Sequence, residues 1–140
     1  MPLATFQTNL DEIAAEAGVT VRSAALPHGR WGFYDHRHRL ITLAPDLAPA
    51  QYRSTLAHEL GHAILGHVGT RPKQERQADR WAARQLLTVD LVVEHTTMQV
   101  EVTELAHRLD IMPWVLEAFA DTLTACELRS MLDAIRAKQF

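Results

Sequence analysis

The stretch LAHELGHAI, residues 56–64, limits the fold of this chain more than any other part of the sequence. It holds a glutamate, Glu59, between two histidines, His58 and His62. On an α-helix, residues four apart lie about 40° apart around the axis and one turn along it, so the two imidazoles converge on one point. The apolar residues of the stretch lie on another face and are available to a core. The pattern H-E-x-x-H is typical of zinc hydrolases and predicts a helix over about 49–66.

A third ligand would distinguish a zinc site from a solvated helix face that carries these polar residues by chance. A catalytic zinc takes three protein ligands and keeps one position open for water. The longer motif H-E-x-x-H-x-x-G-x-x-H would supply a third histidine at position 68, but this position is Val68. If the helix continues to His67, the side chain of His67 is predicted to point away from His62. The predicted helix 72–87 carries Glu75 and Asp79, four residues apart and therefore on one face. We predict that Glu75 is the third ligand and that Asp79 accepts the other ring N–H of a zinc-bound histidine. Taken alone, Glu75 would be an exposed charge that the helix N-terminus favours.

The chemistry expected of such a site is hydrolysis. Zinc lowers the pKa of a bound water to about 7, and Glu59 is expected to take the proton of that water and hand it to the leaving amine. A further donor should stabilise the oxyanion, and the sequence leaves Tyr34, Tyr52, His28 and His95 open as candidates. One Zn²⁺ is the expected cofactor for two histidines and a glutamate, with Mn²⁺ and Fe²⁺ as alternatives.

Periodicity and turn residues predict an α+β fold, in which a small antiparallel three-stranded sheet and the active-site helix precede a helical C-terminal part. The predicted strands are 19–26, 30–36 and 38–45, of which the last two form a hairpin. The other predicted helices are 9–17, 102–109, 113–123 and 127–138, and 89–97 is ambiguous. A single domain is predicted over 1–140, with the sheet and active-site helices in 1–88 and a helical subregion in 89–140. An extended substrate is expected to pair with a sheet edge formed by 38–45 or its hairpin partner.

Composition excludes several other classes of protein. The formal net charge is −3 with mixed signs, so the chain has no basic field for nucleic acid or an anionic membrane. No apolar run approaches the roughly 20 residues of a membrane span, and the first residues lack the basic and apolar regions of a signal peptide. With Cys126 as its one cysteine, the chain can form no internal disulfide. These features predict a soluble protein in the cytoplasm.

The segments HELGHAILGH and ERQADRWAARQLL resemble those of the ImmA/IrrE family of small metallopeptidases, and the resemblance extends over about residues 10–125. It implies a glutamate-zincin in which His58, His62 and Glu75 bind the metal and Glu59 is catalytic. It also implies a protein substrate, namely a helix-turn-helix transcriptional repressor that is cleaved to relieve repression in a phage, mobile element or stress response. The chain departs from the family where Val89 replaces an expected proline.

Two readings from other classes compete with the peptidase. Residues 102–123 resemble a helix-turn-helix, but the second helix offers Glu117 and Asp121 and no basic residue, so phosphate repulsion opposes DNA binding. The other reading is a regulatory or binding protein that keeps the metal site without catalysis. Glu59 argues against it, because a structural metal site needs no general base.

Overall fold

A computed structural model of the protein describes residues 9–138. Within that range the chain forms seven α-helices and three short strands, so the predicted α+β class is confirmed. The strands are β1 (Thr20–Ser23), β2 (Gly32–Asp35) and β3 (Leu40–Leu43), with a 3₁₀ turn at Pro27–Gly29. The helices are α1 (Leu10–Glu16), α2 (Pro49–Ile64), α3 (Pro72–Leu86), α4 (Val89–His95), α5 (Val102–Leu109), α6 (Pro113–Thr122) and α7 (Ala125–Ala137).

The sheet is mixed, so the prediction of a purely antiparallel sheet is wrong. β2 and β3 form the expected antiparallel hairpin, but β1 pairs with β3 in parallel, and the strand order is β1-β3-β2. The connection 24–31 carries the chain past the end of β3 before β2 begins, so β1 and β2 lie on opposite sides of β3. β3 is therefore the central strand, with Ile41 and Leu43 at most 1% exposed. Of the two predicted substrate edges, 38–45 is excluded because its strand is paired on both sides, and β2 is an edge.

Helices α2 and α3 form the centre of the molecule. α2 packs against the sheet on one side and against α3 on the other, and α3 also packs against α6. Small residues make the α2–α3 contact close: Ala57, Ala78 and Ala82 are fully buried. Each helix begins with proline at its first turn, where the missing N–H costs no hydrogen bond. This close packing brings the polar faces of the two helices together.

The region predicted as ambiguous, 89–97, contains a helix, α4. The Thr88 side chain caps it by accepting a hydrogen bond from the backbone N–H of Leu91 at 3.1 Å. Val89 is the first residue of that helix. Proline is favoured at this position because its ring presets φ, but valine also fits there, so the departure from the family pattern leaves the helix intact.

The helix-turn-helix-like pair, α5 and α6, is joined through Asp110 in the left-handed conformation at φ 56°. Its apolar residues are in the core, with Leu109 and Val115 at most 1% exposed. Two contacts tie the turn to α2: the Ser54 hydroxyl accepts from the Met112 N–H at 3.0 Å, and Arg53 donates to the carbonyls of Leu109 and Asp110. The C-terminal helices therefore hold α2 in place through these contacts.

None of the helices in the described range combines the length and the apolar character needed to cross a bilayer. The single domain over 1–140 and its division at residue 88 stay predictions.

Candidate metal centre

Three side chains from α2 and α3 meet at one point, as the motif predicts. Oε2 of Glu75 lies 2.7 Å from Nε2 of His58 and 2.9 Å from Nε2 of His62. The two Nε2 atoms are 3.2 Å apart. Ligands bound at about 2.0–2.1 Å in a tetrahedral zinc site are separated by roughly 3.3 Å. The distance between the two nitrogen atoms matches this separation, and the two nitrogen–oxygen distances are shorter. This group can hold a metal ion.

The hydrogen bonding of His58 tests whether a cation fits this point. Nδ1 of His58 lies 2.7 Å from Oδ1 of Asp79, and because a carboxylate only accepts, Nδ1 carries the proton. A neutral His58 then turns the lone pair of Nε2 toward the carboxylate of Glu75, so two acceptors face each other at 2.7 Å. A proton or a cation between them removes this repulsion, and the donor set therefore fits a divalent ion.

Burial and the surrounding charges shift the pKa values of the two histidines in opposite directions. Burial alone would lower the pKa of His58, but the hydrogen bond with Asp79 and the charges of Glu59, Asp79 and Glu75 outweigh it and raise the pKa. Burial and the neighbouring His58 lower the pKa of His62. Without a metal, the charges of the site therefore favour a proton on His58, which an arriving cation would displace.

His67 does not point away, so that prediction is wrong. α2 ends at Ile64, two residues earlier than predicted, and Gly66 at φ 70° reverses the chain. The N–H of His67 donates to the carbonyl of His62 at 2.9 Å, and the N–H of Gly66 to that of Ala63, which is a Schellman ending. The His67 ring thereby lies back against His62, with the Nδ1 atoms 2.9 Å apart. A glycine two residues after a helix ends is the sequence signal that could have shown this.

Glu59 lies beside the three converging atoms and is 8% exposed. Burial raises its pKa to about 7, and the negative charge of Glu75 adds to the rise, while nearby His58 opposes it. A carboxyl group with a pKa near neutrality is suited to taking and returning a proton.

Gly32 allows β2 to lie against the part of α2 that carries Glu59. A Cβ atom at Gly32 would come within 2.5 Å of Cγ2 of Thr55 and 3.2 Å of Cγ of Glu59. β2 and α2 are therefore in contact at Gly32, where any larger residue would displace Thr55 or Glu59. Nothing in the sequence near Gly32 indicates this close approach, because Thr55 and Glu59 are distant along the chain.

A groove of about 640 Å³ runs along β2 beside the converging side chains. Its walls include Trp31 and Phe33, both about 40% exposed, together with Glu59, His62 and Glu75. A second cavity lies next to it on the His58 side and is bounded by Trp114 of α6. The Trp114 ring meets the His58 ring edge-on, with centroids 5.9 Å apart. The C-terminal helices therefore supply part of the wall, and no local sequence pattern predicts this because His58 and Trp114 are far apart along the chain.

The four oxyanion candidates are widely dispersed. Tyr34 lines the groove, but its hydroxyl is held within the hairpin, 3.0 Å from Nδ1 of His36. Tyr52 is 41% exposed in the first turn of α2, and His28 lies in the 3₁₀ turn. His95 has its Nδ1 atom 3.0 Å from the Leu91 carbonyl. These contacts give none of the four a clear role at the oxyanion.

A glutamate-bearing H-E-x-x-H helix, joined at one point by a carboxylate from the next helix, is the arrangement of a metallopeptidase. In agreement with it, the family model described as the IrrE N-terminal-like domain matches residues 14–116. The chain belongs to this family of peptidases, which confirms the resemblance to ImmA/IrrE proteins. A search of curated proteins found no match.

Gly61 lies where α2 closely approaches Ala78 of α3, and its replacement by alanine is expected to weaken the site. A Cβ there would stand 3.0 Å from the Ala78 carbonyl oxygen and 3.1 Å from its Cα. Backbone atoms cannot turn aside, so α3 must move and carry Glu75 with it. We expect lower metal affinity and a loss of about 1–3 kcal/mol in unfolding free energy, measured by chelator competition and urea unfolding. Alanine favours an unhindered helix by about 1 kcal/mol, so increased stability with unchanged affinity would contradict this.

Glu59→Gln is expected to stabilise the metal-free protein at alkaline pH. A carboxyl whose folded pKa is raised from 4.5 to about 7 contributes stability that is complete below about pH 4.5. That contribution is lost as the pH rises through about 7, because the buried group must ionise. Glutamine does not ionise, so the variant should exceed the wild type by up to roughly 3 kcal/mol at about pH 8 and lose that advantage near pH 4.5. Urea unfolding of both proteins with chelator at the two pH values measures this, and an equal difference at both would contradict it.

Proposed function

We propose that the protein is a zinc-dependent endopeptidase in which His58, His62 and Glu75 hold the ion and Glu59 is the catalytic base. The observation that carries the proposal is the convergence of three acceptor atoms within 2.7–3.2 Å of one another, next to a buried glutamate. Asp79 supports the set by orienting His58. Zinc suits these ligands, and Mn²⁺ or Fe²⁺ would be the alternatives.

The reaction follows from the groups around this point. A bound divalent ion supplies Lewis acidity, which lowers the pKa of water and polarises a carbonyl group. The Glu59 carboxylate accepts a proton from the attacking water and transfers it to the departing amine nitrogen. The low exposure of Glu59 keeps bulk solvent from competing for that proton.

The substrate is proposed to bind as an extended segment along β2. The Trp31 carbonyl accepts a hydrogen bond from the Ala44 N–H at 2.8 Å, so Trp31 and Ala44 form a hydrogen-bonded pair of the hairpin. In an antiparallel ladder such pairs alternate with pairs that are not hydrogen-bonded, so Phe33 is bonded to β3 and Gly32 and Tyr34 are not. The backbone groups of Gly32 and Tyr34 therefore point away from β3, and those of Gly32 can pair with a substrate strand. The Tyr34 N–H faces the Glu59 carboxylate. Exposed Trp31 and Phe33 offer apolar contacts to its side chains.

A helix-turn-helix repressor is the proposed substrate, whose cleavage would relieve repression in a phage, mobile element or stress response in the cytoplasm. Family membership and a groove suited to a protein segment support this. The test incubates a repressor encoded beside the protein with the zinc-loaded wild type, with Glu59→Gln, and with the wild type plus chelator. Fragments from the wild type alone are expected. Intact repressor in all three, with zinc bound, would favour a non-catalytic metal-containing regulator.

A DNA-binding function for 102–123 has less support. α6 packs its apolar face on α3, and its Glu117 and Asp121 are exposed. Phosphates would meet these carboxylates first. We propose no direct binding of nucleic acid, and a salt-sensitive shift of a DNA fragment in a gel would overturn that.

A further inference from the structure

A chain of hydrogen bonds leads from the metal centre into the loop after α2. His67, 6% exposed, has Nδ1 at 2.9 Å from Nδ1 of His62, while its Nε2 lies 2.9 Å from Oε1 of Gln77 on α3. A metal-binding histidine usually donates its second N–H to a carboxylate or carbonyl, which can only accept. His58 follows that rule with Asp79. His62 instead faces another imidazole, which can donate or accept.

Gln77 determines which group donates and which accepts in each of these hydrogen bonds. Its Oε1 atom accepts, so Nε2 of His67 must carry the proton. A neutral His67 then has a lone pair on Nδ1, which accepts from Nδ1–H of His62 and leaves a lone pair on Nε2 of His62. If the amide group turned its NH₂ toward His67, each step would reverse, and Nε2–H of His62 would point at the place of the metal.

We propose that His67 is a positioning residue, which together with Gln77 holds His62 with its Nε2 lone pair directed at the point shared with His58 and Glu75. The inference rests on the metal-binding part of the proposed function. It gives three residues of α3 different roles at the centre: Glu75 converges on it directly, Asp79 acts through His58, and Gln77 acts through His67. The Schellman ending at Gly66 is what returns His67 to this place.

Gln77 variants provide the sharpest test, because the residue is exposed and its replacement does not open the core. Gln77→Glu keeps an acceptor opposite His67, while Gln77→Met keeps the length but offers only a weak acceptor. We expect Gln77→Met to bind zinc about tenfold more weakly in competition with a chelator, and His67→Phe about 10–100-fold more weakly, as for other outer partners of metal-binding histidines. Gln77→Glu should bind zinc at least as tightly as the wild type.

Nitrogen NMR distinguishes this positioning from a mere effect of charge or packing. Long-range ¹H–¹⁵N spectra of the zinc-loaded protein at about pH 8.5, well above the ordinary histidine pKa of about 6.5, report which ring nitrogen carries the proton. We expect the proton of His67 on Nε2 in the wild type and in Gln77→Glu, and a mixture of both forms in Gln77→Met. A proton on Nδ1 of wild-type His67, or unaltered spectra and zinc affinity in Gln77→Met, would overturn the proposal. Neither readout needs a substrate, so a chain that binds zinc without cleaving a repressor contradicts the proposed function and leaves this inference standing.

Discussion

Glu59→Gln is expected to lower kcat for peptide hydrolysis by about 10²–10⁴-fold and to leave zinc affinity nearly unchanged. Glutamine has the volume of glutamate but cannot take a proton from water at neutral pH, and general-base catalysis is worth about that factor. Glu59 supplies none of the three convergent atoms, so its replacement leaves the candidate ligands in place. Initial rates on a repressor-derived peptide, measured with zinc saturating, give kcat, and chelator competition gives the affinity.

Glu94→Gln is the matched control for this result. Glu94 is an exposed helical glutamate on α4, so the same chemical change there should alter neither rate nor affinity. If Glu59→Gln retained more than a tenth of the wild-type kcat, Glu59 would not be the base. A loss of rate accounted for entirely by a loss of zinc would make Glu59 part of the metal set.

The second large effect is expected on metal binding. Glu75→Ala removes the carboxylate that closes the group of three and leaves two imidazole nitrogens 3.2 Å apart. Loss of an outer partner of a metal-bound histidine costs about 10–100-fold in affinity, so we expect loss of a direct ligand to exceed about 100-fold. Peptidase activity at limiting zinc should disappear with it.

Isothermal titration with zinc, or competition with a chromophoric chelator, measures the affinity of Glu75→Ala, with Glu94→Ala as the surface control. A urea unfolding curve of the metal-free variant, compared with that of the metal-free wild type, shows whether the variant stays folded. Zinc affinity close to that of the wild type in a folded Glu75→Ala protein would remove Glu75 from the ligand set. Another group would then have to complete the site.

The helices and the spacing of their polar residues could be predicted because they depend on neighbours in sequence. The separation of His58 from His62, and of Glu75 from Asp79, is one helical turn, so each pair shares a face wherever the helix lies. Proline at the first turn marks where α2 and α3 begin, and both begin there. The candidate ligand set therefore followed from local periodicity joined to the chemical preferences of a metal.

The end of α2 and the order of the strands were harder to predict from the sequence. The predicted direction of His67 was wrong because it assumed a helical backbone, whereas α2 ends at Ile64 and the left-handed conformation of Gly66 turns His67 back against His62. The prediction of the hairpin was correct because its two strands are adjacent in sequence. No local feature of the sequence indicated that β1 would pair with β3 in parallel. A strand of four residues carries too little pattern to select its neighbour.

The sequence by itself determined that two helices each place a set of polar residues close together, with His58, Glu59 and His62 on one helix and Glu75 and Asp79 on the other. Only the tertiary structure decided how those two sets meet: Gly61 against Ala78 sets the helix separation, and Gly32 sets the distance of β2 from Glu59. It also decided that Trp114 and His67 border the centre. The physical reason is that periodicity along a helix is a property of one segment, while the distance between two segments depends on packing that no single segment encodes.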